Sequence, residues 1–258
     1  TFSSNGVDTR DVGNVTGGMA TNTTTGKSFC SIQAAINDAQ TVNGHTILIS
    51  SGTFAEDLVV NKELTIQGQG IGITIIHPAT SNPNTGGGSW GGTNVIAVEA
   101  NNVTIKNLTI DGDNPNLTSL ENVGGANIDA RNGIITNYNI GNFGNLEVAF
   151  TEVKNIFLRG IYQALGPTFN FHDNQVSNVQ ADPGSIAMFS FGSSGVYSNN
   201  TVTNSSDAIA ANQSKGIHFL NNTVSNSASG IHTDNNGGSG GVADTIIGNT
   251  IMNSTAGG

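Results

Sequence analysis

The sequence contains little of several residue types on which compact domains usually depend. Its 258 residues include 1 Cys and 5 Pro, and only 6% are aromatic and 10% charged. The single cysteine, Cys30, excludes an internal disulfide, and we expect it to pack in the core. The aromatic poverty excludes a large core of bulky rings. Something other than disulfides or an ordinary aromatic core must therefore hold the chain together.

Positive charge is also scarce. Eight Lys and Arg residues oppose 18 Asp and Glu residues, which gives a net charge of −10 at pH 7. Such a chain repels the phosphates of DNA and RNA, so we expect no nucleic-acid partner. No stretch approaches the roughly 18 consecutive apolar residues of a membrane span, so we expect none. The 36% hydrophobic content nevertheless indicates a folded protein rather than a disordered one.

What the sequence does contain is an internal repeat. Five short polar segments, most of them bounded by Asn, have one β-branched residue at the centre, and these centres are separated by 23, 26, 22 and 27 positions: Val153, Val176, Val202, Val224 and Ile251. A second apolar position precedes four of the centres by five residues: Val148, Phe171, Tyr197 and Phe219. A third follows four of them: Ile161, Ile186, Ile209 and Ile231.

This period favours a stacked solenoid of short strands. It is too short for a four-stranded propeller blade, and one such repeat cannot bury its own inward side chains. Stacked coils solve this, because each coil pairs in parallel with its neighbours and the β-branched residues fill a narrow interior. Asn residues at equivalent turns are expected to form ladders of side-chain amide hydrogen bonds. The fold class is therefore all-β.

The first half of the sequence follows the same pattern with larger insertions. Strands are predicted at 46–50, 58–60, 64–66, 74–76, 95–98, 103–105 and 108–110. Before them, Ile32, Ala35, Ile36 and Ala39 have helical spacing, with Ser31 suited to begin the helix and 43–44 (Asn-Gly) to end it. We expect this helix to cover the open end of the first coil. Residues 1–27 are then an N-terminal extension and the start of the cap, and 28–258 a single solenoid domain.

Several segments together point to a known group. They are 31–39 (Ser-Ile-Gln-Ala-Ala-Ile-Asn-Asp-Ala), 44–49 (Gly-His-Thr-Ile-Leu-Ile), 52–56 (Gly-Thr-Phe-Ala-Glu), 62–68 (Lys-Glu-Leu-Thr-Ile-Gln-Gly) and the later Asn-rich coils. With them, the chain resembles right-handed parallel β-helix proteins of the pectin lyase-like superfamily over residues 28–258. The resemblance implies a right-handed parallel β-helix with an N-terminal capping α-helix. It also implies a secreted or cell-surface location.

The resemblance is specific for architecture and leaves the activity open. Segment 52–56 is similar to the first block of pectin methylesterases, but their later blocks, Gln-Asp-Thr-Leu, Asp-Phe-Ile-Phe-Gly and Leu-Gly-Arg-Pro-Trp, do not occur, nor do the blocks of polygalacturonases. Glu56 is therefore interpreted as a structural carboxylate. These absences favour a noncatalytic module for adhesion, glycan binding or a structural stalk, with a polysaccharide or cell-surface glycan as partner. The alternative is a polysaccharide lyase or epimerase acting on an acidic polysaccharide.

A lyase or epimerase needs a base and a cation to stabilise the enolate-like anion. If the third apolar positions point inward, alternation places two columns outward: Tyr162, Ala187, Ala210 and His232, and beside them Ala164, Phe189, Asn212 and Asp234. With Arg131 from the preceding coil, the catalytic candidates are His232, Asp234, Tyr162 and Arg131. Three coil steps of about 4.8 Å separate His232 from Tyr162, so a compact site is not expected. Ordinary solvated or ladder positions are the alternative.

Two further positions are candidates for ligands. Trp90 lies alone in the glycine-rich stretch 81–94, where it either stacks on a sugar ring or folds back over apolar residues of the coil. Asp111 and Asp113 flank a glycine turn and are candidate ligands for Ca²⁺, although no cofactor is required. The last coil has no predicted capping helix after it. We therefore expect an end-to-end contact there, with a continuation of the solenoid, a partner or another copy.

Overall fold

Three sheets of short strands run side by side along the molecule, and the chain visits them in turn. The structure is a computed structural model that describes residues 15–16, 19–234 and 242–256. Within these residues almost every strand pairs in parallel with the strand one coil earlier and one coil later, as in the pair of 152–154 with 175–179. This path is that of a parallel β-helix, and the predicted all-β fold is confirmed.

We name the sheets A, B and C in the order in which each coil forms them. Sheet A contains Ala20–Asn22, Lys27–Phe29, His45–Ile49, Leu64–Gln67, Thr104–Lys106, Leu146–Ala149, Thr168–His172, Ser194–Ser198, His218–Leu220 and Thr245–Ile247. Sheet B contains Val15–Thr16, Gly52–Ala55, Thr74–His77, Thr109–Asp111, Glu152–Lys154, Gln175–Val179, Thr201–Ser205, Thr223–Ser225 and Thr250–Met252. Sheet C contains Leu58–Val60, Asn94–Val98, Asn132–Thr136, Arg159–Ala164, Ile186–Phe191, Asp207–Asn212 and Ile231–Asp234.

The connections between sheets differ in how much their length varies. From Thr104 onward, six successive corners between sheets A and B have two residues each, for example 150–151 and 199–200. The passage from sheet B to sheet C varies from the single residue 206 to the 20 residues 112–131, which carry the hairpin of Asn122–Val123 and Ala126–Asn127. The passage from sheet C to the next sheet A strand also varies, for example from the two residues 192–193 to the nine residues 137–145. Length variation is therefore concentrated on either side of the sheet C strands.

The two repeat columns that the spacing predicts in sheets A and B are confirmed. Val153 pairs with Val176, and the same column continues through Val202, Val224 and Ile251. In sheet A, Val148 pairs with Phe171, followed by Tyr197 and Phe219. Tyr197 and Phe219 stack with ring centroids 5.3 Å apart and 10° between their planes. Most aromatic residues of the main core thus lie along sheet A, in an interior otherwise built largely from Val and Ile.

The predicted column in sheet C is wrong at one coil. Arg159 pairs with Ile186, so Ile161 pairs with Met188 and Tyr162 with Phe189. Ala187 instead lies in the core, where it is completely buried. Phe189 takes the outward position beside Tyr162 that the repeat predicts for Ala187. The cause is the passage before this strand, which has six residues, 180–185, where the previous coil has only four. With the longer passage, Ile186 stands at the start of its strand, and Met188, two residues later, takes the position that the repeat predicts for Ile186.

The predicted asparagine ladder is present at the corner between sheets A and B. Asn174, Asn200, Asn222 and Asn249 stand one above another, and each Oδ1 from Asn200 onward accepts both the backbone N–H and the Nδ2 of the Asn one coil earlier. Each Nδ2 also donates to a backbone carbonyl of sheet A, such as that of Phe171. Asn174 and Asn200 are almost completely buried. The ladder satisfies polar groups that the sharp corner would otherwise leave without partners.

Asparagine also supplies the backbone geometry of the corners. Among the described residues, 14 non-glycine residues have a positive φ, and ten of these are Asn, for example Asn199 at 56°. The left-handed region is costly for most L-residues but tolerable for Asn, whose short side chain bonds locally. The exceptions include Phe150 and Leu165. The high Asn content is thus a requirement of the corners.

The predicted helix forms over Ile32–Asn37, and Ser31 Oγ accepts the N–H of Ala34 as expected of an N-cap. The helix ends before the predicted Asn43-Gly44 because Asp38 leaves the helical conformation. The carboxylate of Glu56 accepts the N–H groups of the first two helical residues, at 2.8 and 2.9 Å, which is the position of a structural carboxylate. That the helix closes the first coil stays a prediction.

The predicted domain boundaries, at residue 27 and at the C-terminal coil, stay predictions. Ala20–Asn22 pairs antiparallel with Lys27–Phe29 and with His45–Ile49 of sheet A, so described residues on both sides of position 27 share one sheet. In the last coil Ile246 is 53% and Ile251 37% exposed; an end-to-end contact there stays a prediction. Among the described residues, no helix is both long and apolar enough to cross a membrane.

Candidate functional site

The outer face of sheet C carries an unusual number of apolar side chains for a surface that alternation points away from the core. In register across the seven strands lie Val59, Ala97, Ile135, Tyr162, Phe189, Ala210 and His232. Ile135, Tyr162, Phe189 and their neighbours form a second apolar cluster, separate from the main core, against which Trp90, Tyr138 and Phe191 pack. Chain segments outside the sheet therefore cover part of this face.

Four rings follow one another along this face, and we call them the aromatic row: Trp90, Tyr138, Tyr162 and Phe189. Trp90 meets Tyr138 edge-on with centroids 6.4 Å apart, and Tyr138 meets Tyr162 edge-on at 6.1 Å. Tyr162 stacks on Phe189 at 4.7 Å. Tyr162 and Phe189 are buried, whereas Trp90 and Tyr138 remain half-buried. The row therefore has a packed end and an accessible end.

The glycine-rich loop 81–93 is fixed over sheet C by Arg131. The Nε, Nη1 and Nη2 of this arginine donate to the carbonyl oxygens of Gly88, Pro83 and Gly87, at 3.2, 2.9 and 2.7 Å. Arg131 is 4% exposed. Burial lowers its pKa, although the charge of Asp182 opposes the shift. Each of its nitrogens thus holds the loop in place.

Trp90 is positioned by a second set of contacts. The backbone N–H of Trp90 donates to the phenol oxygen of Tyr138 at 3.0 Å. Nδ2 of Asn94 donates to the backbone carbonyl of Trp90. Gly92 leaves no space for a side chain, because a Cβ there would lie 2.3 Å from the carbonyl oxygen of Asn82. The indole is therefore presented by a fixed backbone. Trp90 folds back over the apolar cluster, as one of the two sequence readings expects, and part of its side chain stays accessible; stacking on a sugar stays a prediction.

A cleft of about 400 Å³ lies on one side of Trp90, and we call it the acidic cleft. Its floor is the outer surface of Val59 and Ala97, and its other lining residues include Asp57, Thr80, Asn82, Trp90, Asn94 and Glu99. Asp57 accepts the N–H of Ala79 at 3.0 Å and the hydroxyl of Thr80 at 2.8 Å. Burial raises the pKa of Asp57, and these hydrogen bonds oppose the shift. The cleft thus combines an aromatic wall with hydrogen-bonding groups.

A second cleft of about 330 Å³ lies on the other side of the loop, and we call it the arginine cleft. It is lined by Gly86, Gly87, Gly88, Ser89, Arg131, Phe157, Leu158, Arg159, Asp182, Gly184 and Asn84. The guanidinium of Arg159 lies over the ring of Phe189, 5.0 Å from its centroid. Its Nη1 donates to the carbonyls of Leu158 and Gly184. Burial lowers the pKa of Arg159, and the neighbouring Arg131 acts in the same direction.

The structure does not bring the four catalytic candidates together. Arg131 holds the loop, and Tyr162 is 6% exposed beneath the aromatic row, where burial raises its pKa to about 12. His232 and Asp234 lie on the strand three places further along sheet C than Tyr162, about 14 Å away at the usual strand spacing. A catalytic role for these residues stays a prediction.

The calcium candidates lie at the end of a sheet B strand. Oδ1 of Asp111 accepts Nδ2 of Asn155 at 2.7 Å and the N–H of Asp113 at 3.1 Å, and its Oδ2 lies 3.5 Å from Nζ of Lys154. Burial raises the pKa of Asp113, against its hydrogen bond from Asn127. No group of three or more His, Cys, Asp or Glu suited to hold a metal occurs in the part of the chain that the structure describes. A calcium site stays a prediction.

Sequence reasoning missed two members of the surface, Tyr138 and Arg159. It placed Phe189 outward but in the neighbouring column, whereas Phe189 pairs with Tyr162. The correct register would also have found Arg159, three residues before Tyr162. Tyr138 follows its strand directly, in a connection that the repeat pattern does not cover. Its contact with Trp90 joins positions 48 residues apart, so no local signal marks it.

Comparison with known proteins agrees with the fold. The sequence matches no protein-family profile. A cell surface glycoprotein of Methanothermus fervidus is 36% identical over 107 residues, which are 42% of this chain and 16% of that protein. The match therefore spans about one sixth of the relative.

Solved structures with a similar backbone are carbohydrate-active enzymes. A pectin methylesterase in complex with a hexasaccharide superposes with a TM-score of 0.52 at 16% identity, over 81% of this chain and 64% of that one. The pectin methylesterase of Yersinia enterocolitica gives 0.52 at 18%, over 76% and 69%. The A-module of a mannuronan C-5 epimerase from Azotobacter vinelandii gives 0.50 at 17%, over 78% and 53%. These likenesses confirm the right-handed parallel β-helix.

Proposed function

We propose that the protein is an extracellular or cell-surface module that binds a glycan without cleaving it, in adhesion or as part of a surface stalk. The observation that carries this proposal is the fixed presentation of Trp90 beside the acidic cleft. A half-buried indole held by a loop without freedom to collapse is a prepared surface for a flat apolar ligand face.

A sugar ring matches the two kinds of surface that meet here. Its C–H face packs on an aromatic ring, while its hydroxyls need hydrogen-bonding partners at the rim. Trp90 supplies the ring, and the side chains of Asn94, Thr80 and Glu99 line the same cleft. Oε1 of Glu99 accepts a hydrogen bond from Nδ2 of Asn137, which fixes the orientation of the Glu99 carboxylate.

The carboxylates of the acidic cleft support binding rather than glycoside hydrolysis. Asp57 precedes the strand Leu58–Val60, and Glu99 follows Asn94–Val98, whose Ile96 pairs with Leu58. Asp57 is thus level with residue 95, four strand residues from Glu99, or about 13 Å along the strands. Paired catalytic carboxylates of glycosidases lie about 5 to 9.5 Å apart. The two groups are better placed to flank a bound sugar.

The comparisons support a glycan partner and an exterior location. One similar structure holds a hexasaccharide, and another belongs to a mannuronan epimerase. The relative from Methanothermus fervidus is a cell surface glycoprotein. The absence of the later esterase and polygalacturonase blocks from the sequence supports the noncatalytic part of the proposal.

Substitution of the indole tests glycan binding. We expect Trp90→Ala to weaken binding of oligosaccharides selected on a glycan array by about tenfold or more, measured by calorimetry, because one aromatic contact contributes roughly 1 to 2 kcal/mol. Trp90→Phe should retain part of the affinity. Phe150→Ala is the matched control, because Phe150 is an exposed aromatic residue that follows a sheet A strand. Equal affinity of Trp90→Ala and wild type would contradict the proposal.

The noncatalytic part needs a separate experiment. Pectic and alginate polymers are incubated with the protein, with and without Ca²⁺, and unsaturated products are followed by absorbance while epimerisation is followed by NMR. We expect neither product. Calcium-dependent turnover that is lost in Asp111→Asn would instead establish the enzyme alternative and the predicted calcium site together.

A further inference from the structure

Both arginines that the structure describes line the same cleft. Arg131 and Arg159 are 28 positions apart in sequence, yet both line the arginine cleft, where the one carboxylate among the lining residues is that of Asp182. Within the described residues, no carboxylate oxygen lies within 4.0 Å of either guanidinium. In a chain of net charge −10, this cleft is a local concentration of positive charge.

Arg159 is incompletely satisfied within the described structure. Its Nη1 donates to two carbonyls, but its Nε is shielded from solvent and has no hydrogen-bond partner. A partly buried guanidinium without a carboxylate in direct contact is unfavourable, and burial lowers the pKa of Arg159, although the charge of Asp182 opposes the shift. An anion in the cleft would offset this cost, because it both neutralises the charge and accepts charge-assisted hydrogen bonds.

The opposite wall of the cleft offers backbone donors. Gly86, Gly88 and Ser89 line the cleft, and their N–H groups make no hydrogen bond to the described residues. At Gly86 and Gly88 an added Cβ would meet nothing within 4 Å, so open space adjoins the backbone there. A glycine-rich segment with free N–H groups beside a guanidinium is a favourable environment for an oxyanion with several acceptor oxygens.

We propose that the arginine cleft binds a tetrahedral oxyanion, sulfate or phosphate, carried as an ester on the glycan. The glycan part rests on the proposed function, whereas the oxyanion part rests on Arg159 and the glycine segment. The loop 81–93 joins the two, because Ser89 lines the arginine cleft and the next residue, Trp90, lines the acidic cleft. An ester group in the arginine cleft is therefore close to a sugar stacked on Trp90.

Inorganic phosphate and sulfate test the oxyanion site without any sugar. We expect calorimetry to detect binding of both ions to the wild type at constant ionic strength. Arg159→Gln should weaken this binding about tenfold or more, the effect expected of losing hydrogen bonds to a charged group. Lys215→Gln removes one positive charge at an exposed position outside the cleft and should leave binding unchanged. Equal phosphate affinity in wild type and Arg159→Gln would overturn the proposal.

A measurement on the wild type keeps the test decisive if Arg159→Gln does not fold. Phosphate should raise the wild-type melting temperature more than chloride does at equal ionic strength, because only a bound ion stabilises the folded state by mass action. Arg159→Lys, which keeps the charge and loses the fork of donors, should retain only part of that shift. No difference between phosphate and chloride would overturn the oxyanion site.

Glycan pairs of equal length separate this inference from the proposed function. We expect the wild type to prefer a sulfated oligosaccharide over its unsulfated counterpart and over a uronate oligomer, and Arg159→Gln to lose that preference. Trp90→Ala should lose both sugars but still bind inorganic phosphate. Phosphate binding without any glycan binding would overturn the proposed function and the ester assignment, and leave the ion site established. A preference for the uronate oligomer would overturn the choice of a tetrahedral group.

Discussion

The asparagine ladder allows a stability prediction whose size follows from its hydrogen bonds. Asn200 lies inside the ladder, and its side chain takes part in four of them, at 2.9 to 3.0 Å. Its Oδ1 accepts the N–H and Nδ2 of Asn174, and its Nδ2 donates to Phe171 and Asn222. Asn200 is 1% exposed, so water has no access to replace these bonds.

Substitution of Asn200 by Ala leaves two donors of Asn174 without an acceptor and removes one donor from the carbonyl of Phe171. A buried polar group without a partner costs about 1 to 3 kcal/mol. We therefore expect Asn200→Ala to reduce the free energy of unfolding by about 3 to 5 kcal/mol, which corresponds to roughly 10 °C in melting temperature for a domain of this size.

Urea unfolding followed by circular dichroism measures this change, and Asn249→Ala is the matched control. Asn249 makes the same contacts with Asn222 but is half-exposed at the end of the ladder, where water replaces lost partners. Its substitution should therefore cost about 1 kcal/mol. Equal losses for the two variants, or a loss below about 1 kcal/mol for Asn200→Ala, would refute the reasoning that burial of the ladder determines its contribution.

Two other predictions concern single side chains. Burial lowers the pKa of His172, but its hydrogen bonds to Asp173 and Glu147, at 2.8 and 3.1 Å, outweigh this and raise it; the stabilisation is thus complete below the usual pKa of about 6.5 and is lost as pH rises through the folded value. Chemical unfolding should show a larger loss for His172→Gln near about pH 6 than near about pH 9, and a loss independent of pH would contradict this. Leu165 has φ of 56° and is 42% exposed. Leu165→Asn should raise the free energy of unfolding by about 0.5 to 1 kcal/mol, and the melting temperature with it, because Asn tolerates this conformation better. A lower melting temperature would show that the contacts of the leucine side chain outweigh the backbone strain.

The sequence predicts the stack well because the stack repeats. Val153 and Val176 occupy equivalent positions under the same packing constraint. The two-residue corners between sheets A and B keep the inward positions of these two sheets at the same separation in every later coil. Sheet C is less predictable, since the passage before it changes length. The shift between Ile161 and Ile186 arises there, and a two-residue error exchanges Ala187 for Phe189.

The site is harder to predict than the stack because its contacts join distant segments. The sequence makes Arg131 a candidate catalytic cation, yet the structure places its three nitrogens on carbonyls more than 40 residues earlier. Spacing alone does not distinguish an arginine that faces a ligand from one that holds a loop. Trp90 is recognisable because it is the one Trp in the sequence and lies among glycines, which are local properties.

The unequal connections separate what holds the molecule together from what it presents to partners. The ladder and the constant corners lie between sheets A and B, while the strands of sheet C and the passages on either side of them supply Trp90, Arg131 and the rest of both clefts. A mutation that lengthens or replaces one of these passages changes the ligand surface and leaves the hydrogen bonds of the ladder in place. The architecture therefore allows new recognition properties to evolve by insertion on one side of an unchanged stack.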